Sequence, residues 1–373
     1  LISQAISFNM QPITLAQAIA RVAPADAEAR RRAEARQLRL TKPPGSLGRL
    51  EQVSVQLAGI FGTENPRIRG KAVIVAAADH GVVAQGVTGH PQAVTGQMVQ
   101  NFLEGGAAVS ALSRLLGVRQ IIVDAGVASG IQDHPDLRRL SSGHGTGDIS
   151  RGPAMSTRQA QQCLTAGVNL AVEAARSGAD LIAMGDMGIG NTTAASAIAA
   201  TVTAKSARET TGRGTGRTPD ELEHKVEVVQ RALTVNRPDP DNPLDVLAKV
   251  GGFEIGVLAG VVLGGSAMRR AVVLDGFISG AAALLALLLC PATRDYMIAS
   301  HRSDERGHQV ILTHLALSPL LDLRMRLGEG SGAVLAMPII EAASACLCEM
   351  ATFDEAGVSD RDQNEAPAES PSR

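Results

Sequence analysis

The feature that most constrains this chain is an alternation. Short runs of β-branched and small apolar residues, at 71–78, 119–124, 180–185, 271–275 and 296–300, are each followed by a longer stretch with helical spacing. Such runs suit strands buried on both faces, and strands joined by helical crossovers form a parallel sheet. The expected fold is α/β: a mainly parallel sheet with flanking helices. The run ends are Asp79-His80-Gly81, Ala125-Gly126-Val127, Asp186 to Thr193, Gly276-Phe277 and His301-Arg302-Ser303-Asp304. Open α/β sheets take ligands outside the carboxyl ends of their strands, so these exits are expected to converge on one cleft.

The third exit, Asp186-Met187-Gly188-Ile189-Gly190-Asn191-Thr192-Thr193, is the most explicit. Glycines permit close backbone approach, and the free amides opening a helix expected over 194–203 offer an anion site beside the Asp186 carboxylate. The run lacks both the Walker lysine pattern and the full GxGxxG spacing, so neither a nucleoside-triphosphate loop nor a dinucleotide fingerprint is expected.

A second constellation is Gly328-Glu329-Gly330-Ser331-Gly332. Glycines on both sides leave the Glu329 carboxylate unobstructed, either as a general base whose proton affinity burial has raised or as a solvated turn residue. In the third, Ser303 and Arg302 either hold a phosphate or carboxylate, or Ser303 caps the next helix with Glu305 and Arg306 in solvent. Lys225, on an amphipathic run at 222–233, follows a loop at 206–219 with the core Thr211-Gly212-Arg213-Gly214-Thr215-Gly216; it is either an ordinary exposed lysine or a phosphate contact. His80 reads as an acid–base group or a hydrogen-bonded structural residue. His301 and His308, seven positions apart with no third ligand, predict no metal site.

The chain ends differ from the middle. Helical patterns at 14–39 and 46–61 flank Thr41-Lys42-Pro43-Pro44-Gly45, with Ser46 placed to cap the second. A helix expected over 330–350 completes a small helical domain drawn from both termini. The expected division is 1–62 and 329–356 for that domain, 63–328 for the α/β domain and 357–373 for a disordered tail; residues 1–10 match no assigned block, and 130–153 reads as a long loop. A net charge of -2, no Trp, one Tyr and six Phe argue against nucleic-acid binding, and Arg30-Arg31-Arg32 reads as a solvated helix face. The apolar stretches 255–268 and 276–290 are too short to span a bilayer and read as core helices, so no membrane insertion is expected. Four cysteines without CxxC spacing, and no signal-peptide pattern, point to a reducing cytoplasm.

Five blocks in order, Lys42-Pro43-Pro44-Gly45-Ser46-Leu47-Gly48-Arg49-Leu50-Glu51, Ala78-Asp79-His80-Gly81-Val82, 185–193, Ser300-His301-Arg302-Ser303 and 328–332, closely resemble the nicotinate-nucleotide–dimethylbenzimidazole phosphoribosyltransferases of cobalamin lower-ligand assembly. The resemblance implies transfer of the 5-phosphoribosyl group of nicotinate mononucleotide to dimethylbenzimidazole, by a cytoplasmic homodimer with a Rossmann-like large domain and a small helical domain, without metal or organic cofactor. It places Glu329 on the catalytic glutamate, with Asp186 as a second catalytic carboxylate. It puts Gly188, Gly190, Asn191, Thr192, Lys225 and Ser303 on the nucleotide and phosphate side, and Thr88 and Gln97 in the base pocket. One departure stands out: the family commonly has glutamate where this chain has Asp186, a loss of about 1.5 Å of reach, so Asp186 is expected to contact ribose hydroxyls or act through a water instead of directly supporting the base.

Overall fold

In the computed structural model the described residues are 12–212, 214 and 218–359. Residues 1–10 and nearly all of the tail expected to be disordered lie outside them, as do Arg213, Thr215, Gly216 and Arg217. Two compact units are present. One takes the described residues up to Ala25 and Ile68–Pro338; the other takes Asp26–Arg67 and the described residues from Ile339 onward.

The first unit is built on six strands: β1 (Lys71–Ala78), β2 (Arg119–Gly126), β3 (Leu137–Arg139), β4 (Leu181–Met187), β5 (Ala271–Leu274) and β6 (Met297–Ala299). Every pairing is parallel and the spatial order is β3-β2-β1-β4-β5-β6. That is the doubly wound arrangement, with the order reversing between β1 and β4. All five expected strands are present. The sixth, β3, lies inside the stretch read as a long loop: it has three residues, paired only with Ile122–Asp124 of β2, and Arg138 and Arg139 are exposed.

The strands are apolar throughout because helices cover both faces. Phe253–Ala267 has fourteen consecutive buried positions, Phe253 to Ser266, and shows no polar face. Its glycines let it close on the helix Thr157–Arg176: a Cβ at Gly260 would lie 2.1 Å from the Leu164 carbonyl oxygen, and one at Gly264 2.5 Å from that of Val168. With aromatics at 2% of the chain, the core is filled by Ala, Val, Leu and Ile and by close backbone approach. Phe277–Leu289 is likewise a buried core helix.

The helical pattern at 14–39 is two helices, Leu15–Arg21 and Ala27–Arg39, because Pro24 interrupts it and the Asp26 side chain accepts the amides of Glu28 and Ala29 to start the second. In the second unit, Ser46 does not cap the next helix. Arg49–Phe61 begins at Gly48, at φ +53, without a side-chain cap; the Glu51 carboxylate instead accepts from the Leu47 amide at 3.0 Å and from Lys42 Nζ at 2.7 Å. Ala33, Ala58 and Leu347 pack together as one buried apolar cluster of this unit. Arg36 Nε donates to the Leu347 carbonyl at 2.8 Å, and Leu40 bridges Thr352 antiparallel. Arg31 and Arg32 pair with Glu28 on an exposed face. Ser331–Glu349 is long and apolar enough to cross a membrane by length and composition, which many soluble core helices also are; it contains Pro338.

Candidate active site

The reversal of strand order brings the exits of β1 and β4 side by side, with Ala76 opposite Asp186 and Ala77 opposite Met187. Beyond β4 the chain turns through Gly188 and Gly190 into the helix Asn191–Thr203, which starts three residues earlier than the sequence pattern indicates. The turn can sit this close to β1 only because it lacks side chains: a Cβ at Gly188 would lie 2.5 Å from the Ala78 carbonyl oxygen. Thr95 Oγ1, fully buried, accepts the Ile189 amide at 3.2 Å and fixes the turn from another helix.

Asp186 and Glu329 meet here. Glu329 N donates to the Asp186 carbonyl at 3.1 Å, so the Gly328–Gly330 turn is tied to the end of β4. Three consecutive residues have left-handed backbone, Gly328 at φ +83, Glu329 at +65 and Gly330 at +87. A glutamate held in that region is strained by about 1 kcal/mol, and strain of this kind gathers at functional sites. Glu329 is only 6% exposed, and its Oε2 has no hydrogen-bond partner. Burial raises its proton affinity above that of an ordinary glutamate, against the opposing effect of the Val109 amide. Of the two readings of Glu329, the solvated turn is therefore excluded.

The turn has a clamp that the sequence reading missed. Asp275, 1% exposed at the end of β5, accepts the Gly330 amide at 3.2 Å and the Ala333 amide at 2.9 Å, seating the first turn of Ser331–Glu349. Burial pushes its carboxyl up to about 7, with the Glu329 charge adding to the rise and the amides of Ala333, Gly330 and Gly332 opposing it. Asp275→Ala removes both acceptors and is expected to cost about 3 kcal/mol in urea unfolding, since each amide would lose a charged partner.

Asp186 completes an acidic group. Its Oδ2 accepts Asn191 Nδ2 at 3.0 Å. Burial, then the charges of Asp275, Glu254 and Glu329, hold its carboxyl well above the usual range, despite the Asn191 hydrogen bond. Asp186 thus holds its proton more tightly than an ordinary aspartate. Beneath the glycine turn His80 Nε2 lies 2.7 Å from Glu254 Oε1, both side chains fully buried, which fits the structural reading of His80.

Lys225 is not exposed as an ordinary helical lysine would be. It is 1% exposed and its Nζ donates to Thr192 Oγ1 at 2.7 Å, above the start of the Asn191–Thr203 helix. Ser303 N donates to His308 Nδ1 at 3.0 Å, and Ser303 Oγ accepts the Glu305 amide at 3.3 Å. The capping alternative had Glu305 in solvent; it is 7% exposed instead. His308, pushed down to about 3 by burial and then by His301, stays neutral. The two expected base-pocket residues are placed less distinctively. Thr88 is half-buried with its hydroxyl accepting the His90 amide, and Gln97 is exposed on the helix Val94–Leu103. Among the described residues no cluster of three or more His, Cys, Asp or Glu is arranged to hold a metal.

The chain matches the phosphoribosyltransferase family over residues 22–358. It is 56% identical over 350 residues to the nicotinate-nucleotide–dimethylbenzimidazole phosphoribosyltransferase of Roseiflexus sp. (strain RS-1), covering 94% of this chain and 99% of that one. It is 49% identical to the enzyme of that name from Deinococcus radiodurans, over 92% and 95% of the two chains. The crystal structure of the same-named enzyme from Thermus thermophilus superposes with a TM-score of 0.86 at 45% identity, covering 90% of this chain and 100% of that one. With the acidic turn, the glycine turn and the buried lysine on one doubly wound sheet, this chain belongs to the nicotinate-nucleotide–dimethylbenzimidazole phosphoribosyltransferase family.

Proposed function

We propose that this enzyme transfers the 5-phosphoribosyl group of nicotinate mononucleotide to 5,6-dimethylbenzimidazole, giving α-ribazole 5′-phosphate and nicotinate. The observation that carries this reading is the Glu329 carboxylate, buried, strained and clamped at the point where the strand order reverses. One benzimidazole nitrogen attacks the anomeric carbon as the bond to the pyridinium nitrogen breaks. That bond's electron pair stays on nicotinate, and the proton on the other benzimidazole nitrogen passes to Glu329. The leaving group departs as a neutral pyridine nitrogen, so no strong acid is needed. Most of the task is placing two reactants and removing one proton.

On this reading Gly188, Gly190, Asn191, Thr192, Lys225 and Ser303 receive the ribose phosphate. Asp186, at the end of β4, contacts the ribose hydroxyls or acts through a water, as its shorter side chain allows. Thr88 and Gln97 remain the proposed base-side residues, and the enzyme works as a cytoplasmic homodimer without cofactor.

The test is nicotinate release from nicotinate mononucleotide with several candidate bases, in buffer containing chelator. Dimethylbenzimidazole is expected to give the largest kcat/KM, and absence of nicotinate release with every base overturns the reading. A raised Glu329 also sets the pH profile. The base form is lost as pH falls through the folded-state pKa, so kcat at saturating substrates should decline with an acid limb above the ordinary glutamate value of 4.5. A limb at or below that value removes Glu329 as the titrating base.

A further inference from the structure

One buried carboxylate near the proposed phosphate pocket has no part in this scheme. Glu305 sits between the β6 exit and the helix Arg306–Leu315, 7% exposed, with Oε2 lacking any hydrogen-bond partner. Glu305 is the N-cap residue of that helix, but its side chain makes no cap bond, and the carboxylate turns inward against Gly212. A Cβ at Gly212 would lie 2.0 Å from Glu305 Oε2, so the loop backbone passes directly over the acid. Burial raises its proton affinity above that of an ordinary glutamate, with Asp304 adding to the rise, while Lys225, the Gly214 amide and Arg326 favour its charged form. Arg326 Nη1 in turn donates to the Gly214 carbonyl at 3.2 Å, and a Cβ at Gly214 would lie 3.1 Å from Lys225 Nζ. Lysine, arginine, loop amide and the Thr192 end of a helix thus share one small volume, and the negative group already in it belongs to the protein.

We propose that Glu305 is a resident anion of the phosphate pocket: it holds Lys225, Gly212 and Gly214 in a receptive arrangement, and the incoming phosphomonoester takes over those partners. This rests on the proposed nucleotide reading. The carboxylate therefore competes with the ligand it prepares for, weakening the binding of any phosphate while keeping the cations from collapsing onto other acids. Removing its charge without changing its shape should tighten phosphate binding, which loss of a merely structural group never does.

The experiment uses the full chain and inorganic phosphate as probe, by calorimetry, with KM for nicotinate mononucleotide measured alongside. Glu305→Gln is expected to lower the phosphate Kd and the KM by roughly tenfold, the size of one partly screened charge a few ångströms away. Glu305→Asp, which withdraws the charge by one methylene, should give a smaller tightening. Lys225→Met should abolish phosphate binding in both the parent and the Glu305→Gln background. Unchanged or weaker phosphate binding in Glu305→Gln, with binding still lost in Lys225→Met, overturns the resident-anion role alone. Phosphate binding that survives Lys225→Met overturns the pocket itself and this proposal with it.

Discussion

Glu329→Gln lowers kcat by on the order of 10³-fold, within the usual range for loss of a general base, and leaves KM for nicotinate mononucleotide within about threefold. Glutamine keeps the shape of the side chain and the Gly328–Gly330 turn, so ground-state binding has no reason to change. The same substitution carries a second expectation of opposite sign. Glu329 lies beside two other buried carboxyls, and its charge raises the proton affinity of Asp275 and Asp186. A carboxyl whose folded-state pKa is raised binds protons more tightly folded than unfolded, so stability falls as pH climbs from the unfolded value. For Asp275 that window runs from the ordinary 3.8 to about 7. Removing the Glu329 charge relieves part of this cost. The inactive variant should be more stable than the parent by on the order of 1 kcal/mol at pH 8, with the gain shrinking towards pH 4. Retained turnover removes Glu329 from the chemistry, and an unchanged melting temperature at pH 8 means the carboxylates are not coupled.

Gly185→Ala should be the most damaging single methyl in the site. Gly185 lies in β4 beneath the Glu329 turn, and a Cβ there would meet the Glu329 carbonyl oxygen at 2.3 Å, its carbonyl carbon at 2.6 Å and the Gly330 nitrogen at 2.8 Å. All three are backbone, so no rotamer change gives way. Either β4 retreats from the sheet or the turn lifts off Asp186 and Asp275. We expect a loss of about 3 kcal/mol in urea unfolding, at the upper end of ordinary overpacking. The surviving folded enzyme should lose at least 100-fold in kcat, because a displaced general base loses both reach and alignment. Gly152→Ala is the control. Nothing lies within 4 Å of that Cβ, and its effect should stay within about 0.5 kcal/mol. Equal effects of the two substitutions would mean that the turn does not depend on close approach.

What could be read in the sequence was local. β1, β2, β4, β5 and β6 announce themselves because a strand buried on both faces must be an unbroken apolar run, and the glycine turn and Glu329 lie directly at such ends or between glycines. β3 escapes because three residues with two exposed arginines carry no periodicity; only the β2 edge makes them a strand. Asp275 was in view as the last residue of a run, but its role depends on amides 55 and 58 positions away. Thr95, two residues before the expected Gln97, reaches the glycine turn across 94 positions. The buried state of Lys225 and Glu305 is equally nonlocal: both look like surface charges on helices until the loop and Thr192 are placed over them. Ser46 shows the converse, since a suitable cap residue loses to Gly48 when Glu51 takes over the loop's donors.

The helix Phe253–Ala267 has a consequence for how such an enzyme can diversify. Gly260 and Gly264, four residues apart, make two notches in which the Thr157–Arg176 backbone rests. Sliding the helix by one residue would advance it about 1.5 Å and rotate it about 100°, bringing Val261 into the place of Gly260 against the Leu164 carbonyl. The helix consequently has a single setting, and Glu254 in its first turn, under Gly188, inherits it. A lineage adapting this scaffold to another base cannot retune the acidic floor by degrees, since the nearest alternative is a whole residue away. Novelty has to be written into the loops above it, and the floor is passed on unchanged.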